Sequence, residues 1–92
     1  MSRRVVRTEE VLVYLGIREH SFLEQLRAEG LFEQDEIEPD DAEELRLAQL
    51  LMQELGVNAA GVDVALHLRR RLLALEERAR ALVAALETTK GR

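Results

Sequence analysis

The most regular pattern of apolar positions lies in the C-terminal third of the chain. Between Asn58 and Leu86, alanine and leucine side chains recur at alternating steps of three and four residues. These seam positions are Ala65, Leu68, Leu72, Leu75, Ala79, Leu82 and Leu86. The spacing is typical of the a and d positions of a coiled-coil heptad, and Asn58 is a residue type that caps helices. The pattern therefore predicts one helix from residue 58 to residue 86.

This helix is too long for the rest of the chain to cover. At about 1.5 Å per residue, its roughly 28 residues extend about 42 Å. The body that the preceding residues can form is narrower than that. Part of the helix must therefore project into solvent, where a leucine seam needs a partner. We predict a homodimer that pairs through the seam positions, with parallel and antiparallel pairing both open.

The apolar positions before residue 58 predict three shorter helices. The first is capped by Thr8 and ends at Gly16, and the second runs from about residue 18 to residue 29. Two short helices around a glycine turn are typical of a helix-turn-helix. The third begins at Asp40, with Glu43 completing a capping box. Its buried stripe consists of Leu45, Ala48, Leu51, Met52 and Leu55.

An acidic loop separates the second and third helices. Val5 and Val6 near the N-terminus and Ile37 in the loop predict one or two very short strands, which would make the loop a wing. The segment from residue 19 to residue 44, which includes this loop, is rich in carboxylates, and Arg27 is its single arginine or lysine. The acidic residues are Glu19, Glu24, Glu29, Glu33, Asp35, Glu36, Glu38, Asp40, Asp41, Glu43 and Glu44. Such a surface repels phosphates, so we expect no nucleic-acid binding there.

Length and composition narrow the class of protein. The 92 residues predict a body over residues 1–57 and a dimerisation helix over residues 58–92, in a mainly α fold. The chain contains no cysteine, which excludes disulfides and thiolate metal sites and makes a cytoplasmic location the default. No apolar stretch approaches the roughly 20 residues that a membrane span needs. We therefore predict no membrane association.

The predicted order of elements resembles that of MerR-like winged helix-turn-helix proteins. Gly16-Ile17 and Gly30-Leu31 match the turn glycine and the Gly-Leu wing entry of that group. Within it, the chain is similar to the CbpM-like chaperone modulators and to a related small assembly factor of thermophilic Hsp70–Hsp40 systems. The residues that carry this similarity are the Glu-Leu-Gly-Val-Asn string at 54–58 and the Gly-Val-Asp-Val-Ala-Leu string at 61–66.

The resemblance implies a function in protein binding. A CbpM-like protein would bind the J-domain of an Hsp40-type co-chaperone, whose basic helix engages Hsp70, and regulate that co-chaperone. An acidic surface suits a basic partner. The predicted contact residues are Glu19, Glu24, Phe32, Asp35, Glu36 and Glu38, with Phe32 as an apolar anchor. Two alternatives stay open, a MerR-type transcriptional regulator that binds DNA and a structural assembly factor of an Hsp70–Hsp40 complex.

Enzymatic chemistry has little support in the sequence. His20 and His67 lack a metal-ligand partner at helical spacing, and Ser21 beside His20 is not a nucleophile–base pair by adjacency alone. The five glycines are isolated, so no glycine-rich phosphate loop is present. We predict no catalytic residue, no metal and no cofactor. The basic run at 69–71 is predicted to pair with Glu76 and Glu77 of a partner helix, or with the acidic wing of the other protomer.

Overall fold

The computed structural model describes residues 4–90. Helices make up 74% of these described residues, which confirms the mainly α class. The elements in chain order are β1 (Val6–Arg7), α1 (Thr8–Tyr14), α2 (His20–Ala28), β2 (Glu36–Ile37), α3 (Pro39–Gln49), a π-helical turn (Leu50–Glu54) and α4 (Ala59–Lys90). The predicted second helix thus begins two residues later than expected, and the last helix continues four residues further.

The short strands form where the sequence predicted them. β1 and β2 pair antiparallel, with Val6 opposite Ile37 and Arg7 opposite Glu36. Ile37 is buried in the core, whereas the other three residues of the pair are exposed. The ribbon therefore ties the N-terminus to the acidic loop and anchors it through a single apolar side chain.

Thr8 does not cap α1, so that prediction is wrong. The N-cap is Arg7, which makes no side-chain capping hydrogen bond. Thr8 is completely buried, and its hydroxyl donates to the Gln34 carbonyl at 2.8 Å. Its backbone N–H donates to the Asp35 carbonyl, also at 2.8 Å. A buried polar group needs a hydrogen-bond partner, and the Gln34 carbonyl of the acidic loop is the partner of this hydroxyl. The hydroxyl therefore holds the loop against α1 instead of capping the helix.

Glycines with positive φ end the first three helical segments. Gly16, Gly30 and Gly56 have φ angles of 75°, 80° and 70°, in the left-handed region that side chains with a Cβ rarely adopt. At the end of α2, the N–H of Leu31 donates back to the carbonyl of Leu26 at 3.0 Å. This bond satisfies a carbonyl that the helix itself leaves free. The predicted helix ends are confirmed to within one or two residues.

The capping box of α3 lies two residues before the predicted one. Glu38 is the N-cap and Pro39 the first helical residue. The N–H of Glu38 donates to the Asp41 carboxylate at 3.2 Å. Asp40 lies inside the helix, and Glu43 pairs with Arg46 instead. Proline favours this earlier start because its fixed φ is already helical. It also lacks a backbone N–H, and the N–H of the first helical residue would have no partner within the helix.

Leu55 is wrongly predicted as part of the buried stripe of the third helix. Leu45 and Ala48 are buried, but Leu55 is 66% exposed. The π-helical turn inserts one extra residue per turn here, with the Leu55 N–H donating to the Leu50 carbonyl at 3.2 Å. The wider turn rotates the following side chain away from the face that a period of 3.6 predicts.

The core joins α2, α3 and the first part of α4. Leu26, Leu45 and Ala48 are completely buried, together with Val62 and Leu66 of α4. The complete set of buried apolar residues is Ile17, Phe22, Leu26, Leu31, Ile37, Leu45, Ala48, Val62 and Leu66. Val62 and Leu66 are one helical turn apart, and Ala59 packs against the same core, so the apolar contact of α4 with the body follows one face of the helix near its start.

α4 begins as the sequence predicted and then leaves the body. The Asn58 side-chain oxygen accepts the Gly61 N–H at 2.7 Å, which confirms Asn58 as the cap. Every residue from Arg71 to Lys90 is exposed. The 32 residues of the helix correspond to about 48 Å, and the longest dimension of the molecule is 58 Å. The prediction of a long, projecting C-terminal helix is confirmed.

Candidate protein-interaction surfaces

The first candidate surface lies at the start of α2. Glu19 and Glu24 are exposed and line a groove of about 430 Å³ between α1 and α2. Neither makes an ion pair within residues 4–90. Arg18, His20 and Arg27 line the same groove, so the acidic residues alternate there with basic ones. The groove offers polar contacts of both signs around an apolar floor.

The second candidate surface is the acidic loop. Asp35 and Glu36 are exposed, and the Asp35 carboxylate lies 3.6 Å from the Arg27 guanidinium with its side chain 90% exposed. At that exposure, such a pair contributes little to stability. Glu36 makes no ion pair within the described part of the chain. Both carboxylates are therefore accessible to a partner.

Arg27 connects the two surfaces. It lines the groove beside Glu24, and its Nε donates to the Phe32 carbonyl at 2.9 Å while its guanidinium reaches Asp35. It thus fixes the start of the acidic loop to α2. The structure thus places Arg27 in the groove that Glu24 lines and in contact with Asp35 of the acidic loop.

Phe32 and Glu38 lie in structural positions. Phe32 is half-buried, packs against the core and has a φ of 54°, which is uncommon for a residue other than glycine. Glu38 forms the capping box of α3 with Asp41. Their role as partner contacts stays a prediction, and replacing either residue would disturb the fold as well as a surface.

Only some of the acidic residues are available for binding. Glu43 is held by Arg46, whose Nη2 donates to its carboxylate at 2.7 Å. This hydrogen bond lowers the pKa of Glu43 and raises the pKa of Arg46. Glu44 is buried. Among residues 4–90, Glu19, Glu24, Glu33, Glu36 and Asp40 make no ion pair.

The basic run on α4 pairs within the chain, so the prediction that it pairs with a partner chain is wrong for two of its three residues. Arg70 donates to both carboxylate oxygens of Glu44, from Nη2 at 2.6 Å and from Nε at 2.9 Å. Arg69 lies 3.5 Å from the same carboxylate. The hydrogen bond to Glu44 raises the pKa of Arg70. Glu44 is buried because the two arginines neutralise it, and together they fix α4 to α3.

The predicted acidic partners of that run also pair within their own helix. Glu76 and Glu77 lie 3.8 and 3.4 Å from the guanidinium of Arg80. These contacts span four and three residues, the spacing at which side chains on a helix surface meet. They are exposed pairs and leave both carboxylates accessible.

The third candidate surface is the seam of α4. Ala65 is half-buried and Ala79 exposed. The five seam leucines, Leu68, Leu72, Leu75, Leu82 and Leu86, are each between 55% and 62% exposed. An aligned row of exposed leucines of this length is unusual on a monomer. The exposure that the sequence predicted is confirmed, and the partner that would cover the seam stays a prediction.

Sequence reasoning missed an apolar patch on α1. Val13 and Tyr14 are 78% and 89% exposed, and Tyr14 lines a groove of about 480 Å³ with Val6, Pro39 and other residues. The available signal was the unbroken apolar run from Val11 to Leu15, which is wider than one face of a short helix.

The described residues contain no cluster of three or more histidine, cysteine or carboxylate side chains that could hold a metal ion. His67 turns its Nδ1 to the Asp63 carbonyl at 2.9 Å and to the Asp63 carboxylate at 3.1 Å. His20 lies on the rim of the groove beside α2. The two histidines thus lie on different helices, His67 on α4 and His20 on α2.

Comparisons with protein-family profiles, with curated proteins and with solved structures found no match to this chain. Within residues 4–90, no helix is both long enough and apolar enough to cross a bilayer.

Proposed function

We propose that the protein is a non-enzymatic modulator that binds the J-domain of an Hsp40-type co-chaperone through its acidic surface. The observation that supports this most directly is a set of exposed carboxylates on the helix-turn-helix and the acidic loop, at Glu19, Glu24, Asp35 and Glu36. A surface of this kind attracts a basic helix by long-range complementarity. Covering that helix would regulate the action of the co-chaperone on Hsp70.

The arrangement of elements also supports the proposal. Two short helices around a glycine turn, a two-stranded ribbon and a third helix occur in the order of a MerR-like winged helix-turn-helix. In a DNA-binding protein of this type, the second helix and the wing carry groups that contact phosphates and bases. Here the corresponding elements carry exposed carboxylates, which favours a basic protein over DNA as the partner.

The seam of α4 supports a homodimer as the working form. Burying a leucine completely contributes about 1.5–3 kcal/mol. Because the five seam leucines are little more than half exposed, each would contribute roughly 1 kcal/mol, or about 10 kcal/mol over two copies. This is comparable with the estimated 4–15 kcal/mol entropic cost of association. A cytoplasmic location is part of the same proposal.

The test is titration of the protein against an isolated J-domain at two salt concentrations. We expect binding that weakens as salt rises, because the contacts are exposed charges. The double variant Asp35→Lys/Glu36→Lys should weaken binding about tenfold or more, at up to 1 kcal/mol for each exposed pair plus repulsion. Glu38 is left unchanged because it caps α3.

A control is Glu87→Lys, a single charge reversal of the same sign on the projecting part of α4, which should leave J-domain binding unchanged. Absence of binding at tens of micromolar would contradict the proposal. Steeply salt-dependent binding to random duplex DNA would instead favour the alternative of a MerR-type transcriptional regulator. A stable ternary complex of this protein with Hsp40 and Hsp70, in which stimulation of the Hsp70 ATPase is undiminished, would favour the alternative of a structural assembly factor.

A further inference from the structure

One side chain of α2 both holds the backbone of the acidic loop and pairs with one of its carboxylates. The Nε of Arg27 donates to the Phe32 carbonyl at 2.9 Å, and its Nη2 lies 3.6 Å from the Asp35 carboxylate. We infer that Arg27 is a positioning residue, which fixes the acidic loop in the conformation that binds a basic partner. This inference rests on the proposed function and adds to it the residue that presets the binding surface.

The backbone of the loop needs such support at Phe32. Its φ of 54° lies in the left-handed region, which a residue with a Cβ occupies at a cost and keeps only where the surroundings hold it there. Two contacts do so, because the Phe32 side chain packs against the core and its carbonyl accepts the bond from Arg27. Loss of the hydrogen bond leaves one contact, and a return of Phe32 to negative φ would turn the following residues in another direction.

The second half of the loop is held from α1. The hydroxyl of Thr8 donates to the Gln34 carbonyl and its N–H to the Asp35 carbonyl, each at 2.8 Å. The loop is thus bound through three of its carbonyls, while the Asp35 and Glu36 side chains remain exposed. A surface that is ordered before association loses less conformational entropy on binding. The contacts of Thr8 and Arg27 therefore favour binding without touching the partner.

The charge of Arg27 acts in the opposite sense to its hydrogen bond. The guanidinium lies beside Asp35 and lines the groove that contains Glu24. A cation of a basic partner must compete with it for the Asp35 carboxylate and is repelled by it. The hydrogen bond from Nε thus strengthens binding, and the positive charge weakens it. Because the two effects have opposite signs, substitutions can separate them.

Arg27→Gln and Arg27→Met form a matched pair for this test. Both substitutions remove the charge, and both new residues favour helices about as well as arginine. The amide nitrogen of glutamine is bonded to Cδ, as the Nε of arginine is, so it can donate to the Phe32 carbonyl; methionine has no donor. We expect Arg27→Gln to bind an isolated J-domain about two- to fivefold more tightly than the native chain. Arg27→Met should bind about three- to tenfold more weakly than Arg27→Gln.

The same two substitutions at Arg18 are the control. Arg18 lines the same groove and makes no ion pair among residues 4–90. Arg18→Gln and Arg18→Met should therefore bind the J-domain equally well, to within about twofold, because only the charge changes. This comparison removes any general difference between a glutamine and a methionine on this surface.

The amide of Thr8 gives a measurement that needs no partner. Thr8 is the first residue of α1, so its N–H has no partner within the helix and is bonded only to the Asp35 carbonyl of the loop. Its hydrogen exchange, followed by NMR, therefore reports release of the loop. We expect exchange at Thr8 to be about three- to tenfold faster in Arg27→Met than in Arg27→Gln. Exchange at Leu45, which is completely buried in α3, should be equal in the two variants.

The outcomes separate this inference from the proposed function. Equal J-domain binding by Arg27→Gln and Arg27→Met, or equal exchange at Thr8, would overturn the positioning role and leave the proposed function intact. Weaker binding by Arg27→Gln than by the native chain would overturn the opposing effect of the charge. Absence of J-domain binding by the native chain at tens of micromolar would overturn the proposed function, and this inference with it.

Discussion

The contact between α3 and the arginines of α4 gives the sharpest prediction about stability. Arg70→Ala removes the two hydrogen bonds that reach Glu44 at 2.6 and 2.9 Å. The Glu44 side chain is only 6% exposed, so its carboxylate would be left in the interior with Arg69 at 3.5 Å as its remaining partner. Breaking a buried ion pair in this way is costly because one charge loses its compensation.

The magnitude follows from the exposure of the two partners. Removal of one partner of a fully buried pair costs about 3–5 kcal/mol. Arg69 still compensates part of the charge, and the Arg70 side chain is itself 49% exposed, so we reduce this to about 2–3 kcal/mol. Glu44→Gln should cost less, about 1 kcal/mol, because water can solvate the half-exposed guanidinium that it leaves.

The assay is urea unfolding monitored by circular dichroism at one fixed protein concentration. The dependence of the unfolding free energy on urea concentration is compared between variants. The control is Arg18→Ala, which removes an exposed arginine without an ion pair among the described residues and should change the free energy of unfolding by less than about 0.5 kcal/mol. The double variant should show coupling of about 1–2 kcal/mol between positions 44 and 70. We expect an unpaired buried carboxylate to cost more than an unpaired half-exposed guanidinium. If Glu44→Gln were more destabilising than Arg70→Ala, this expectation would be wrong.

Three further predictions test single contacts by the same unfolding assay. Thr8→Val removes the buried hydroxyl and should cost about 1–2 kcal/mol, whereas Thr88→Val on the exposed helix should change stability by less than about 0.5 kcal/mol; equal effects would refute the tertiary role of Thr8. Gly61→Ala should destabilise by about 1 kcal/mol or more, although alanine favours helices, because its Cβ would lie 2.7 Å from a Val57 methyl group; a gain in stability would contradict this. The pKa of Glu43 is lowered by its hydrogen bond to an arginine, so its contribution is present above the unfolded pKa and is lost as pH falls through the lowered folded value. Stability curves of the native protein and Glu43→Gln should therefore converge in acid, and curves that stay parallel would exclude this linkage.

The sequence predicted those features that depend on local pattern. The glycines at 16, 30 and 56 ended their helices because a positive φ is a local requirement. Asn58 capped α4 for a similar reason, since the hydrogen bond to the Gly61 N–H lies within one turn. The seam was predictable because its period persists over several turns.

Features that depend on tertiary contacts were harder to predict. Thr8 has the residue type of a cap, but a carbonyl 26 residues away takes its hydroxyl. Glu44 is one carboxylate among many in its segment, and nothing local indicates that it alone is buried against Arg69 and Arg70. The π-helical turn likewise changes the exposure of Leu55 by a rotation that no residue type signals.

The candidate binding surface was predicted only as a set of charges. Composition identified the acidic segment, and the structure then divided it into residues already engaged, such as Glu43 and Glu44, and residues open to a partner. That division depends on where the arginines lie in space. Sequence separation does not reveal it.

The exposure of every residue from Arg71 to Lys90 gives the chain two regions of different local stability. Amide protons in α2 and α3 exchange only when the body opens, whereas those of residues 71–90 depend on a helix that is marginal in isolation at about 20 residues. Association would slow their exchange by mass action. Hydrogen–deuterium exchange in this segment should therefore slow as protein concentration rises, while exchange at Leu26 and Leu45 stays constant, so the outer part of α4 would report the local concentration of the protein.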